Sequence, residues 1–190
     1  MLVHLTSIAG YNEYMTEFVL GGGCFWCLDA VFRRLKGVNK IECGYAGGST
    51  PHPSYDQVST GKTGHAEVVK VGFDDAVIPS DTILDIYFLI HNPTTLNQQG
   101  ADIGTQYRSI MLFADASQQR SFEAARQRAQ VIWQDPIVTE ISKLSSYYTA
   151  EPEHQDYFNK HPDAGYCQIV IEPKITKARQ QYREWFKEEE

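Results

Sequence analysis

The stretch GGGCFWC, residues 21–27, sets three glycines, two cysteines and two large aromatics side by side. A thiolate is a nucleophile, a metal ligand or half of a disulfide. Downstream, HAEVVKVGF (65–73) carries a carboxyl at Glu67, on the same face of a predicted strand as Val69, Val71 and Phe73. Burying charge is costly, so an acid on an apolar face is held protonated, as a proton donor at neutral pH must be. The plainer alternative is a surface glutamate on a two-sided strand. Tyr107 shares a predicted strand face with Met111 and Phe113, as a core tyrosine with its hydroxyl at an edge. Tyr55 and Asp102 fall in loops and read as turn residues.

Four chemistries compete for the cysteines, beside a structural turn with none. A zinc clip has the right CxxC spacing at Cys24 and Cys27, but no second CxxC or HxxxH follows. A zinc deaminase would use the H-x-E of His65 and Glu67, but it needs P-C-x-x-C afterwards; here the cysteines come first and Gly23 replaces the proline. A phosphate-handling cysteine wants an arginine close behind, and the nearest is Arg33. Thiol redox chemistry asks for CxxC at a helix start, which is present. Cys24 and Cys27, three apart, would have Cβ atoms about 5–6 Å apart, near disulfide reach. Phe25 and Trp26 beside the nucleophile suggest a small apolar wall. Cys43 alone reads as a buried apolar residue.

Several elements must position these groups. EFVLGG (17–22) reads as a strand, and CFWCLDAVFRRL (24–35) as a helix with Phe25, Leu28, Phe32 and Leu35 at helical spacing, ended by Gly37. Cys24 then stands at a helix N-terminus, where unpaired N–H groups and the dipole favour thiolate. Further strands are expected at VNKIECGYA, 65–73, RSIMLFA (108–114), IVTEI (137–141) and QIVI (168–171). Helices are expected from Ser80 to before Pro93, over 117–133, and from Glu172 onward with Pro173 in the first turn. This alternation predicts an α+β fold, a two-layer α/β sandwich with helices on a mixed sheet. Residues 1–16 lack periodicity and are expected to form a flexible N-terminal arm before one domain at 17–190.

The chain has 190 residues and 42% hydrophobic content, enough for one substantial core. Its net charge of −7 argues against a general nucleic-acid binder. It has neither an apolar run of membrane-spanning length nor a convincing signal peptide, so a cytoplasmic protein with free thiols is expected.

GGCFWC (22–27), GYAGG (44–48), PSYDQVSTGKTGHAEVV (53–69) and DIGTQYRS (102–109), in this order, resemble the motifs of the A-type peptide methionine sulfoxide reductases, over roughly residues 17–190. The resemblance implies a mixed α/β sandwich related to ferredoxin-like folds. It implies reduction of the S-epimer of methionine sulfoxide, free or in proteins, as repair of oxidative damage. No metal or cofactor is needed, and thioredoxin regenerates the enzyme; a monomer is the expected state. By resemblance, Cys24 is the nucleophile and Phe25 and Trp26 receive the substrate methyl group. Glu67 protonates the sulfoxide oxygen, Tyr55 and Tyr107 hydrogen-bond in the pocket, and Asp102 lies beside the substrate. His154, in EPEHQDYF, lies in another family stretch without an assigned role.

The implied mechanism runs through a Cys24 sulfenic acid that a second thiol closes to an intramolecular disulfide. Two cysteines contend for that step. Some family members carry cysteine at the position of Cys27, and many use a cysteine after GY in a glycine-rich tail. Here Cys167 follows GY, but the next residues, QIVIEPK, look like an ordered strand, so Cys27 is preferred. A general dithiol–disulfide oxidoreductase would leave Glu67 and the tyrosines without roles, and a zinc-stabilised binding module would need stoichiometric zinc.

Overall fold

The computed structural model describes residues 15–188. The first half builds most of the sheet: β1 (Met15–Gly21), α1 (Phe25–Arg33), β2 (Val38–Ala46), the short α2 (Tyr55–Ser59), β3 (Ala66–Asp74) and α3 (Ser80–Ile90). A small hairpin of β4 (Gln98–Gln99) and β5 (Asp102–Ile103) leads through a 3-10 turn, Thr105–Tyr107, into β6 (Ile110–Phe113). Then come α4 (Ala116–Gln130), β7 (Glu140–Lys143), β8 (Tyr147–Thr149), a 3-10 turn at Pro152–His154, α5 (Tyr157–Lys160), a π-helical segment at Cys167–Ile171 and α6 (Glu172–Gln181).

Among the described residues the main sheet runs β7-β6-β1-β3-β2-β8. Every pairing is antiparallel except β6 with β7, so the sheet is mixed. Period-two alternation sorts its residues onto two faces. Phe18, Leu20, Val69, Val71 and Phe73 join the core shared with α1, α3, α4 and α6. Val19, Ala46, Ala66, Val68, Ile110 and Leu112 form the opposite face, against Leu144 and Tyr147. The helices thus occupy one layer and the sheet the other, as expected. Phe25, Leu28, Val31 and Phe32 tie α1 to the sheet, and each buried side chain contributes about 1.5–3 kcal/mol. No helix among the described residues is long and apolar enough to cross a membrane.

Four expectations change. β1 starts at Met15, so Met15 and Thr16 are strand rather than arm, while the rest of the expected arm lies outside the described residues. The expected strand at 137–141 forms later, at Glu140–Lys143, where it finds β6 as a partner. Tyr107 ends a 3-10 turn instead of lying in the strand with Met111. The QIVI stretch is helical, because Cys167, Ile171, Ile175 and Ala178 are buried at helical spacing and continue the core face of α6. Three apolar letters after a glutamine mimic a strand, but Ile169 among them is 78% exposed.

Candidate active site

The glycine turn sets the geometry. Gly23 has φ +86°, a left-handed conformation that costs little without a Cβ, and a Cβ there would come within 2.5 Å of Gln99. Its N–H donates to the Tyr107 carbonyl at 3.1 Å, pinning the cysteine turn to the 3-10 turn. Cys24 follows as the N-cap of α1, as its spacing predicted. Its side chain does not cap in the usual way. Instead the Glu67 carboxyl reaches across from β3 and accepts the Phe25 N–H at 3.1 Å. Glu67 faces the helical layer because β3 alternates, and Tyr45 is its direct neighbour on β2.

Glu67 is 2% exposed. Burial pushes its carboxyl up from 4.5 to about 8, the Asp102 charge adds to this, and hydrogen bonds from the Phe25 N–H and Cys24 oppose it. Glu67 therefore holds a proton at neutral pH, as its apolar strand face implied. Cys24 departs from expectation. The Trp26 N–H does favour its thiolate, and so does the Tyr166 hydroxyl. Burial outweighs both, and the charges of Glu67 and Cys27 push the same way, so the thiol lies well above its usual value. A helix N-terminus does not activate a thiol that has lost its water.

The other expected residues converge. Tyr55, at the start of α2, and Tyr107 both feel the charges of Glu67, Cys24 and Asp102, and both phenols are raised, chiefly by burial. Asp102, expected in a loop, sits in β5 and accepts the Tyr166 hydroxyl at 2.7 Å. Phe25 is fully buried against Tyr45 and His154, while Trp26 is half-buried and supplies the accessible aromatic surface of the pair. Tyr157 stacks on the Trp26 ring at 3.7 Å with planes 6° apart, and Tyr166 meets it edge-on at 5.9 Å. Cys27 lies one turn into α1 with its sulfur 4.0 Å from the Tyr166 hydroxyl. Cys167, on the π-helical segment, feels the Cys27 charge, and burial raises both thiols. Cys43 is an ordinary core residue. The ring nitrogens of His65, half of the H-x-E element, are taken by the Gly48 N–H and the Thr50 carbonyl. Among the described residues no group of three or more His, Cys, Asp or Glu is placed to hold a metal ion.

Several residues of the site escaped sequence reasoning. Tyr166 bridges Asp102 and Cys27, and its only signal was its place before Cys167. Glu151 accepts the Tyr55 N–H at 2.8 Å and the Tyr45 hydroxyl at 2.7 Å, clamping α2 beside Glu67. Burial would raise its carboxyl, yet these bonds hold it below its ordinary value. His154 packs on Tyr55 with ring centroids 4.3 Å apart, forming a wall with Phe25 and Trp26. Both lie in EPEHQDYF, a stretch noticed without a role.

The family model described as peptide methionine sulfoxide reductase matches residues 16–186. The peptide methionine sulfoxide reductase MsrA of Pseudarthrobacter chlorophenolicus is 54% identical over 171 residues, covering 90% of this chain and 98% of that protein. The crystal structure of reduced Mxr1 from Saccharomyces cerevisiae superposes with a TM-score of 0.78 at 32% identity, over 85% of this chain and 93% of that one. Methionine sulfoxide reductase A of Corynebacterium diphtheriae gives 0.73 at 33% identity, over 80% and 78%.

Proposed function

The chain belongs to the peptide methionine sulfoxide reductase family, and we propose that Cys24, Glu67, Tyr55 and Tyr107 carry its reaction, the reduction of methionine sulfoxide to methionine. One observation supports these roles: the buried Glu67 carboxyl accepts the N–H of Phe25, the residue next to Cys24 at the start of α1, at 3.1 Å, and burial raises it to about 8. Acid and nucleophile are thus poised for one sulfoxide. The substrate methyl group rests on Trp26, backed by Phe25. Glu67 gives its proton to the sulfoxide oxygen, assisted by the hydroxyls of Tyr55 and Tyr107, and the sulfur becomes electrophilic. Cys24 attacks while its own proton returns to Glu67. The thiol and the sulfoxide become a Cys24 sulfenic acid and methionine, with the oxygen transferred. Asp102, hydrogen-bonded to Tyr166, borders the substrate.

A chiral sulfur held by methyl pocket, oxygen acid and nucleophile fits one epimer, taken as S. Cys27 closes the disulfide in preference to Cys167, because it stands one turn from Cys24 on the same helix. Thioredoxin then reduces that disulfide by exchange, in the cytoplasm, and the chain from Met15 onward acts as one domain. The test is turnover of separate S and R epimers of a methionine sulfoxide peptide with dithiothreitol. S-only turnover that disappears in Cys24→Ser is expected; turnover of both epimers, or persistence in Cys24→Ser, overturns these roles.

A further inference from the structure

We propose that Thr105, Gln106 and Arg108 are positioning residues that together hold the Tyr107 hydroxyl in register with Tyr55 and Glu67. The proposal rests on the reading of Tyr107 as a hydrogen-bond donor to the sulfoxide oxygen.

The observation is a pattern of hydrogen bonds. Tyr55 opens α2, Glu67 is the second residue of β3, and residues 59–64 link the two. Side chains of the 105–108 stretch donate to the carbonyls of this linker. Thr105 Oγ1 donates to the Gly61 carbonyl at 3.0 Å, Gln106 Nε2 to the Ser59 carbonyl at 3.2 Å, and Arg108 Nη2 to the Gly64 carbonyl at 3.0 Å. Tyr107 is the remaining residue of the stretch, so the chain flanking the proposed donor is stitched on both sides to one linker. The linker in turn is fastened to the two other site residues. The Ser59 hydroxyl donates to the Tyr55 carbonyl at 2.8 Å, and Gly64 leads within three residues to Glu67.

Arg108 does the most. Its Nη1 donates to the Thr105 carbonyl at 2.9 Å, which closes the 3-10 turn on itself. Its Nη2 also reaches the Gly47 carbonyl, beyond the end of β2, at 3.5 Å, and its Nε donates to the Glu140 carboxylate at 3.1 Å. Three of these four partners are neutral carbonyls from different loops, so the fork of fixed donors does the holding rather than the charge. The side chain is 14% exposed, and Gln106 is 5% exposed. Buried carbonyls at such junctions need donors, and each lost donor lets its loop shift towards water.

The consequence for the site follows from what holds Tyr107. Its 3-10 turn packs on β3, and its carbonyl accepts the Gly23 N–H at 3.1 Å, so the same turn borders both the acid and the cysteine loop. A donor aimed at developing charge works only at its place, and a displacement of about 1 Å can cost up to about 10²-fold in rate. The stitching fixes that place. Its effect is bounded, because a misplaced hydroxyl cannot lose more than an absent one.

The experiment is single-turnover methionine release from a methionine sulfoxide peptide by the reduced full chain at pH 7, with peptide concentration varied. Thermal melts run beside it. Arg108→Lys keeps the charge and loses the fork; it should lower the limiting rate constant about fivefold and leave half-saturation within about twofold. Thr105→Val removes a single stitch and should lower the rate constant about threefold. Glu140→Gln loses the ion pair but leaves the carbonyl bonds, and should stay within about twofold of the native rate constant. The deciding measurement is a double-mutant cycle: in a Tyr107→Phe background, Arg108→Lys and Thr105→Val should each change the rate constant by less than about twofold. Full effects that multiply with Tyr107→Phe overturn the proposal, since the residues then act elsewhere than through the hydroxyl. Lowered melting temperatures with a native rate constant in both Arg108→Lys and Thr105→Val also overturn it, leaving a purely structural role. If Arg108→Lys does not fold, Thr105→Val and its cycle decide alone. A native rate constant in Tyr107→Phe itself overturns the reading of Tyr107 beneath the proposal, and is distinguished by needing neither of the other substitutions.

Discussion

Glu67 offers the most demanding prediction, because its burial couples activity and stability to pH in opposite ways from a simple thiol enzyme. Burial lifts its carboxyl from 4.5 to about 8. The unfolded chain loses this proton near 4.5 and the folded chain keeps it to about 8. Folding stability from this group is therefore fully present below 4.5, falls as pH rises between the two values, and levels off above 8. A shift of this size corresponds to about 5 kcal/mol. Glu67→Gln keeps the shape and the acceptor for the Phe25 N–H but cannot ionise. It should match the native chain's stability near pH 4.5 and exceed it at pH 9, by up to about 5 kcal/mol in denaturant melts.

Activity should move the other way. Glu67→Gln removes the proposed proton donor, and general acid catalysis contributes about 10²–10⁴-fold to a rate. In the native chain, ionisation of Glu67 above pH 8 removes the acid and also raises Cys24 further, because its charge is the second largest influence on that thiol. Single-turnover methionine release should thus fall above pH 8, where a free cysteine would become more reactive. The two groups titrate as a pair, and the fall reports their joint behaviour. A rate that climbs steadily from pH 7 to 10, or a Glu67→Gln variant within threefold of native rates, refutes the reasoning.

The remaining predictions concern the supports of the site. Tyr107→Phe should lower the rate constant for methionine release about tenfold, the worth of one hydrogen bond made in the transition state, with little change in melting temperature. Glu151→Ala frees the Tyr55 N–H and the Tyr45 hydroxyl, so it should destabilise the fold by about 1–3 kcal/mol and slow methionine release through a misplaced Tyr55. Gly23→Ala forces a Cβ into the left-handed region and against Gln99; it should cost about 1–3 kcal/mol in chemical denaturation.

What the sequence made legible was local. Helical spacing from Phe25 to Leu35 placed Cys24 at the start of α1, and alternation in 65–73 put Glu67 on the core side. Both follow from the period of a single element. What stayed hidden depends on packing between elements far apart in the chain. Tyr166 reaches Asp102 across 64 positions, and Glu151 reaches Tyr55 across 96. No periodicity encodes such meetings. QIVI misled for a related reason: its four residues alternate plausibly, and only the continuation to Ile175 and Ala178 reveals the helical face. The Cys24 thiolate misled because a helix N-terminus is visible in sequence and the loss of water around it is not.

The same loss of water gives the motif its division of labour. All three thiols of the region are raised by burial, so none is a ready nucleophile in the resting protein. They differ in what stands beside them. Cys24 has an acid that holds a proton at neutral pH, so its own proton has somewhere to go once Glu67 has protonated a sulfoxide. On the proposed roles, the thiol becomes reactive only when a substrate oxygen has taken that proton. Cys27 feels the Lys174 charge, which partly offsets the burial of its thiol. Cys167 has neither acid nor cation, and its nearest charged influence is Cys27 itself. On the proposed roles, burial holds all three thiols above their usual value until a sulfoxide draws the Glu67 proton away from Cys24.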